Sequence, residues 1–261
     1  KSAGPLLRSG KQPRRRPVMA IDEFLKRVYP GTAEEFCGLA AKAMLTGEKL
    51  FVVTANPEIL MHACREQDLR DLLLSESAAV VPDGISVVKA MRLCGLPAQE
   101  RVTGVDLAER LLQKAGEAQK SVFLLGAREE VVSALAGKLR ARYPGMTVEY
   151  CNGYVEDKDA AFERIRQAEP DLVLVALGAP AQERLIARHL EEFGKGVFIG
   201  VGGSFDVLSG SKRRAPAVFV RTNTEWLYRI LREPSRLGRF YRNNVKFLGE
   251  VKKAAKAARQ G

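Results

Sequence analysis

The sequence predicts an α/β fold: a doubly wound, mostly parallel sheet followed by a C-terminal basic helical appendage. Three observations predict it. Six short apolar runs recur along the chain, amphipathic stretches separate them, and after Gly210 the pattern gives way to basic helices. The runs fall at residues 50–53, 78–81, 122–125, 147–151, 172–176 and 197–200. Their β-branched content and unbroken apolarity suit strands buried on both faces of a parallel sheet.

Helical periodicity fills the gaps, for example at residues 84–93, 106–118, 129–142, 159–168 and 182–193. Strand–helix alternation of this kind implies right-handed crossovers and a Rossmann-like arrangement. Residues 17–28 lack a glycine-containing opening strand, so the first element and its pairing stay open. Beyond Gly210, residues 217–232 and 235–248 read as two basic amphipathic helices parted at Glu233-Pro234, because proline suits a helix start better than its interior. The expected organisation is a flexible basic lead at 1–18, an α/β catalytic domain at 19–210 and the appendage at 211–261.

Charge divides along the same lines. Residues 1–18 hold six basic residues and no acid; residues 19–206 hold 22 basic and 28 acidic; residues 207–261 hold 14 basic and 3 acidic. An acidic body with basic ends points to a polyanionic partner, nucleic acid or an anionic membrane. No apolar run approaches the ~20 residues that span a bilayer, so membrane contact would be peripheral. The lead has no apolar core and does not read as a signal peptide. Cys37, Cys64, Cys94 and Cys151 are widely spaced in apolar surroundings and read as buried free thiols of a reducing cytosol.

Ligands of open α/β sheets bind at the carboxyl ends of the strands. Four such ends are polar and rich in small residues: Thr54-Ala55-Asn56-Pro57, Pro82-Asp83-Gly84, residues 178–183 and residues 200–206. Each has a plainer reading. Asn56 and Asp83 suit helix N-caps, Gln182 and Glu183 suit a helix's first turn, and Gly202-Gly203 suits a tight turn. Asp157-Lys158-Asp159 resembles a D-x-D metal motif, but its place before a helix favours capping, and no metal site or cofactor is expected.

The combination is more specific. Thr54–Glu58, Val81–Gly84, Glu100–Gly104, residues 177–183, Gly200–Asp206, Glu225-Trp226-Leu227-Tyr228-Arg229 and Glu233-Pro234 resemble, in order and spacing, the blocks of the WecG/TagA/CpsF glycosyltransferase family. The resemblance implies an inverting transferase that moves N-acetylmannosamine, or its uronic acid, from UDP to N-acetylglucosamine on undecaprenyl diphosphate. The best-known branch makes the linkage unit of wall teichoic acid. It implies Asp83 as general base and Thr54, Asn56, Arg101 and Gln182 around the reacting sugars. It places Gly202, Gly203 and Asp206 at the nucleotide end, with Tyr154 bordering the base. Arg229, Arg236 and Arg239, which with Arg232 recur at spacings of three, four and three, would hold diphosphate oxygens. The implied partners are a UDP-sugar, a polyprenyl-diphosphate acceptor and an anionic membrane surface, with no nucleic acid. The implied place is the cytoplasmic face of the cell membrane. Oligomeric state, a homo-oligomer included, stays open.

Two other classes compete. An NAD-linked oxidoreductase fits a doubly wound sheet, but Thr54–Pro57 is not a glycine fingerprint. A nucleic-acid-binding module fits a pI near 9.6, yet the basic residues gather at the ends of the chain instead of over one face.

Overall fold

Each of the six apolar runs forms a strand. In the computed structural model, which describes residues 21–259, these are β1 (Lys49–Ala55), β2 (Ala78–Pro82), β3 (Ser121–Gly126), β4 (Thr147–Cys151), β5 (Leu172–Ala176) and β6 (Gly196–Gly200). They make one parallel sheet in the order β2-β1-β6-β5-β3-β4. The expected basic lead at 1–18 lies outside the described residues.

Alternation along each strand divides the core in two. Phe51, Val53, Val173, Val175 and Phe198 face one layer, built with α1 (Ile21–Arg27), α3 (Pro57–Ala63), α4 (Gln67–Leu74), α5 (Ile85–Leu93), α8 (Lys158–Ala168) and α9 (Ala181–His189). Val52, Leu124, Leu172, Leu174 and Ile199 face the other, built with α2 (Ala33–Thr46), α6 (Gly104–Glu117), α7 (Glu129–Arg142) and α10 (Ser204–Ser209). Register puts Phe51 and Val173 on either side of Phe198. Full burial of each such side chain stabilises the fold by about 1.5–3 kcal/mol before entropy is counted.

The first described element, left open by the sequence, is the helix α1. Ile21, Phe24 and Leu25 bury its inner face, and the chain then touches the sheet edge through one bridge between Val28 and Val80. A second helix, α2, is set by a capping box: Thr32 accepts from the Glu35 amide, and the Glu35 carboxylate accepts from the Thr32 amide. Cys37, Cys64 and Cys151 are buried and Cys94 half-buried, all as free thiols.

The appendage differs from expectation in two ways. The stretch 217–232 is not one helix but two, α11 (Ala217–Arg221) and α12 (Glu225–Arg232). Between them Asn223 takes a left-handed conformation at φ 59°, which a continuing helix does not allow. After a short 3₁₀ turn at Pro234–Arg236, α13 runs from Leu237 to Ala258, ten residues beyond the expected end. Phe247, Val251 and Ala254 explain the extension: they pack into the first core layer, with α13 lying against α1, α3 and α5. Among the described residues, no helix is long and apolar enough to cross a membrane.

Candidate active site

β2, β1, β6 and β5 are consecutive in the sheet, so the four polar strand ends share one edge. The chain leaves β1, β2 and β5 toward one core layer and leaves β6 toward the other. A crevice opens where neighbouring strands send their connections to opposite faces. Here it is a cavity of about 620 Å³. Thr54, Asn56, Asp83, Arg101, Gln182, Gly202 and Gly203, all singled out in the sequence, line it.

Local chemistry fixes each of them. Thr54 donates its hydroxyl to the Gly200 carbonyl at 3.0 Å, joining the ends of β1 and β6. Asn56 caps α3, its Oδ1 accepting from the Glu58 and Ile59 amides at 2.9 and 3.1 Å, with Pro57 in the first turn. Capping leaves the Asn56 amide nitrogen for other work. Asp83 is not the N-cap residue: Gly84 occupies that position before α5. The Asp83 backbone instead donates to the Ala55 carbonyl at 2.8 Å, which holds the residue at the sheet edge.

Gln182 is the most constrained. Its Oε1 accepts from the amides of both Gly178 and Gly202, each at 3.0 Å, tying the loop after β5 to the loop after β6. Its Nε2 donates to Glu183 at 2.8 Å. Gly200 admits this pair, because a Cβ there would stand 2.6 Å from Gln182 Nε2 and 2.8 Å from Glu183 Oε1. Burial pushes the Glu183 carboxyl above its ordinary range, and Glu58 acts in the same direction.

Arg101 lies at the junction of body and appendage. Its guanidinium stands 3.6 Å from the Glu225 carboxylate and donates to the Val220 carbonyl at 3.3 Å, with the two charged side chains only 16% and 9% exposed. The appendage therefore forms a wall of the cavity. Trp226 stacks on Phe240 with ring centroids 4.8 Å apart and planes at 6°, and both line the space together with Ile230 and Asn244. Sequence reading gave Glu225, Trp226 and Phe240 no separate place in the site. Glu225 and Trp226 lay inside a quoted block, but nothing local pairs Trp226 with Phe240.

Two expected residues stand elsewhere. Tyr154 follows β4, at the far edge of the sheet; it is 76% exposed and outside the cavity lining. Asp206 sits in the first turn of α10, 4.0 Å from Lys212, and also outside the lining. The side chains of Arg229, Arg236 and Arg239 lie outside the described residues. Asp157 caps α8 by accepting from the Ala160 amide, and Asp159 pairs with Arg188 and His189.

Comparison with known proteins gives the family. A family model described as "Glycosyl transferase WecG/TagA/CpsF family" matches residues 23–261. An N-acetylglucosaminyldiphosphoundecaprenol N-acetyl-beta-D-mannosaminyltransferase of Bacillus subtilis (strain 168) is 41% identical over 186 residues, covering 71% of this chain and 72% of the relative. The protein of the same name from Staphylococcus aureus (strain MW2) is 40% identical over 191 residues, 73% of this chain and 75% of its own length.

Proposed function

Because the chain belongs to the WecG/TagA/CpsF glycosyltransferase family, we propose that it moves N-acetylmannosamine from UDP to N-acetylglucosamine carried on undecaprenyl diphosphate. Membership makes the chain a hexosyltransferase; sugar, acceptor and residue roles belong to the proposal, and neither the oxidoreductase nor the nucleic-acid reading is favoured by it. The observation that carries the reading is the cavity at four consecutive strand ends, walled by an amphipathic appendage. One side offers polar groups to sugars, and the other offers apolar and basic surface to a lipid-linked substrate.

In this reading Asp83 takes the proton of the acceptor hydroxyl as that oxygen attacks the anomeric carbon from the face opposite UDP. A carboxylate at the sheet edge suits a general base. As the C–O bond to UDP breaks, negative charge grows on the diphosphate. Arg229, Arg236 and Arg239 neutralise it through charge-assisted bonds. Gln182, Gly202 and Gly203 shape the floor under the donor, while Thr54 and Asn56 border the sugars. Asp206, in the first turn of α10 just after Gly202-Gly203, borders the nucleotide end, while Tyr154, at the far edge of the sheet, takes no part in this reading. Leu231, Leu237, Tyr241 and Val245 are exposed on the appendage beside basic residues. Such a surface docks on an anionic bilayer at its cytoplasmic face, and the product is the linkage unit of a wall teichoic acid.

The test is transfer from UDP-N-acetylmannosamine to a short-chain polyprenyl-diphosphate N-acetylglucosamine, run beside the uronic acid donor and with excess EDTA. Turnover with the neutral donor, undiminished by chelator, is expected. Preference for the uronic acid would replace the sugar. Loss of activity in EDTA restored by Mg²⁺ would overturn the role given to the arginines.

A further inference from the structure

Glu183 is an acidic residue that the reaction above does not use. It stands in the first turn of α9, lines the cavity and is 1% exposed. Its Oε1 accepts from Gln182 Nε2 at 2.8 Å. Its Oε2 is fully buried and, among the described residues, meets no hydrogen-bond partner. No ion pair among the described residues reaches it: the adjacent Arg184 turns to Glu66 and Asp68 near the start of α4. The other charged groups near it are Glu58 in α3 and, on the cavity wall, Asp83, Lys89, Arg101 and Glu225. Arg101 is held by Glu225, and the strand behind, β6, contributes apolar residues and glycine.

We propose that Glu183 is a positioning residue that works as an uncharged carboxylic acid, holding the Gln182 amide as a bridge between the loops after β5 and β6. Its second oxygen has no hydrogen-bond partner among the described residues, and the adjacent cation Arg184 is committed to Glu66 and Asp68. A buried carboxylate so placed is costly enough that the group keeps its proton. Burial, the largest influence on this carboxyl, acts in that direction against the weaker pull of Arg184. With the proton on Oε2, Oε1 is a carbonyl that still accepts from Gln182. Gln182 Oε1 is then left to take the Gly178 and Gly202 amides together. The floor beneath the bridge stays free of negative charge, so it does not repel an anionic nucleotide diphosphate. That last consequence rests on the proposed donor; the protonation and the bridge do not.

Melting curves of the wild-type chain and Glu183→Gln across pH test the protonation without any substrate. A carboxyl raised in the folded state gives stability that is complete at acid pH and lost as pH rises from the ordinary glutamate range through the raised value. The Gln variant lacks that loss, so its melting temperature relative to wild type should climb with pH over that window. A difference that is flat above the ordinary range would overturn the proposal. Binding of UDP by the full chain supplies the second readout. Glu183→Gln should bind within about twofold of wild type at neutral pH and lose less affinity at alkaline pH. Glu183→Ala should raise the donor KM several-fold with a smaller change in kcat, since the bridge is loosened but no reacting group is removed. A folded Glu183→Gln that neither binds UDP nor turns over would show that the ionised carboxylate is required, and the positioning role would fall.

Discussion

The body and the appendage solve opposite problems with the same material. In the body, alternating residues of each strand disappear into two core layers, and two polar groups of the site tie the strand ends together: Thr54 to Gly200, Gln182 to Gly178 and Gly202. In the appendage, Phe247 and Val251 are buried, yet Trp226, Leu231, Leu237, Tyr241, Val245 and Leu248 remain exposed. A soluble surface rarely carries so many large apolar groups on one short segment, and such patches mark sites of contact. The comparison teaches a division of labour. The body carries the polar strand ends of the cavity, and the appendage walls that cavity while leaving large apolar side chains exposed, a division that fits the proposed split between sugar chemistry and lipid contact.

The sharpest way to break that division is Asp83→Asn. If the chemistry belongs to the body, turnover should fall by about 10²–10⁴, the range for losing a general base, while UDP binding and melting temperature stay near wild type. Steady-state rates beside calorimetric UDP titration decide it; near-normal turnover would take Asp83 out of the mechanism. Next comes Phe247→Ala, which asks whether α13 is part of the body's core. Its burial against the first core layer predicts a loss of about 3–5 kcal/mol in chemical denaturation. An unchanged unfolding midpoint would mean that α13 can come away without disturbing the rest.

A smaller effect is expected at the joint. Arg101→Ala removes the pairing with Glu225 and the bond to Val220, worth about 1.5–3 kcal/mol for bonds to charged groups. Transfer to a soluble acceptor should drop roughly tenfold to hundredfold, with the lost stability felt first as loosening of the appendage. If limited proteolysis of the appendage is no faster in this variant, Arg101 does not hold the wall. The mildest prediction is Leu231→Glu, at a residue 66% exposed. Affinity for anionic vesicles should fall about tenfold, since burying a leucine is worth about 1.5–3 kcal/mol. Transfer to a water-soluble acceptor should not change. An equal loss with both acceptors would place Leu231 in the site instead of on the lipid side.

Much of this was open to reading along the chain. β4 and β5 have the very bounds their apolar runs predicted, and the other strands gain a residue or two at their ends, because a run buried on both faces announces itself locally. Asn56 before Pro57 and Asp157 before α8 are caps, as their residue types indicate. The first described element was not readable: α1 is short, and it is placed by packing into the core layer and by the bridge just after it from Val28 to Val80, fifty-two positions away. The break in the appendage was missed because Asn223 interrupts an otherwise continuous amphipathic pattern with a backbone angle, not with a glycine or proline.

What the sequence determined by itself was therefore the kind of each element and the chemistry at each strand end, since caps, turns and apolar runs act over a few residues. Tertiary structure decided which of those ends meet. The order β2-β1-β6-β5 gathers Thr54, Asp83, Gln182 and Gly202 at one crevice, while the same order carries Tyr154 to the far edge with β4. It also gave Arg101 a partner in Glu225, and it buried Glu183 beside Gln182 with one carboxyl oxygen that meets no hydrogen-bond partner among the described residues. Those outcomes depend on contacts between segments a hundred or more residues apart, or on how deeply a group is buried, and no local pattern encodes either.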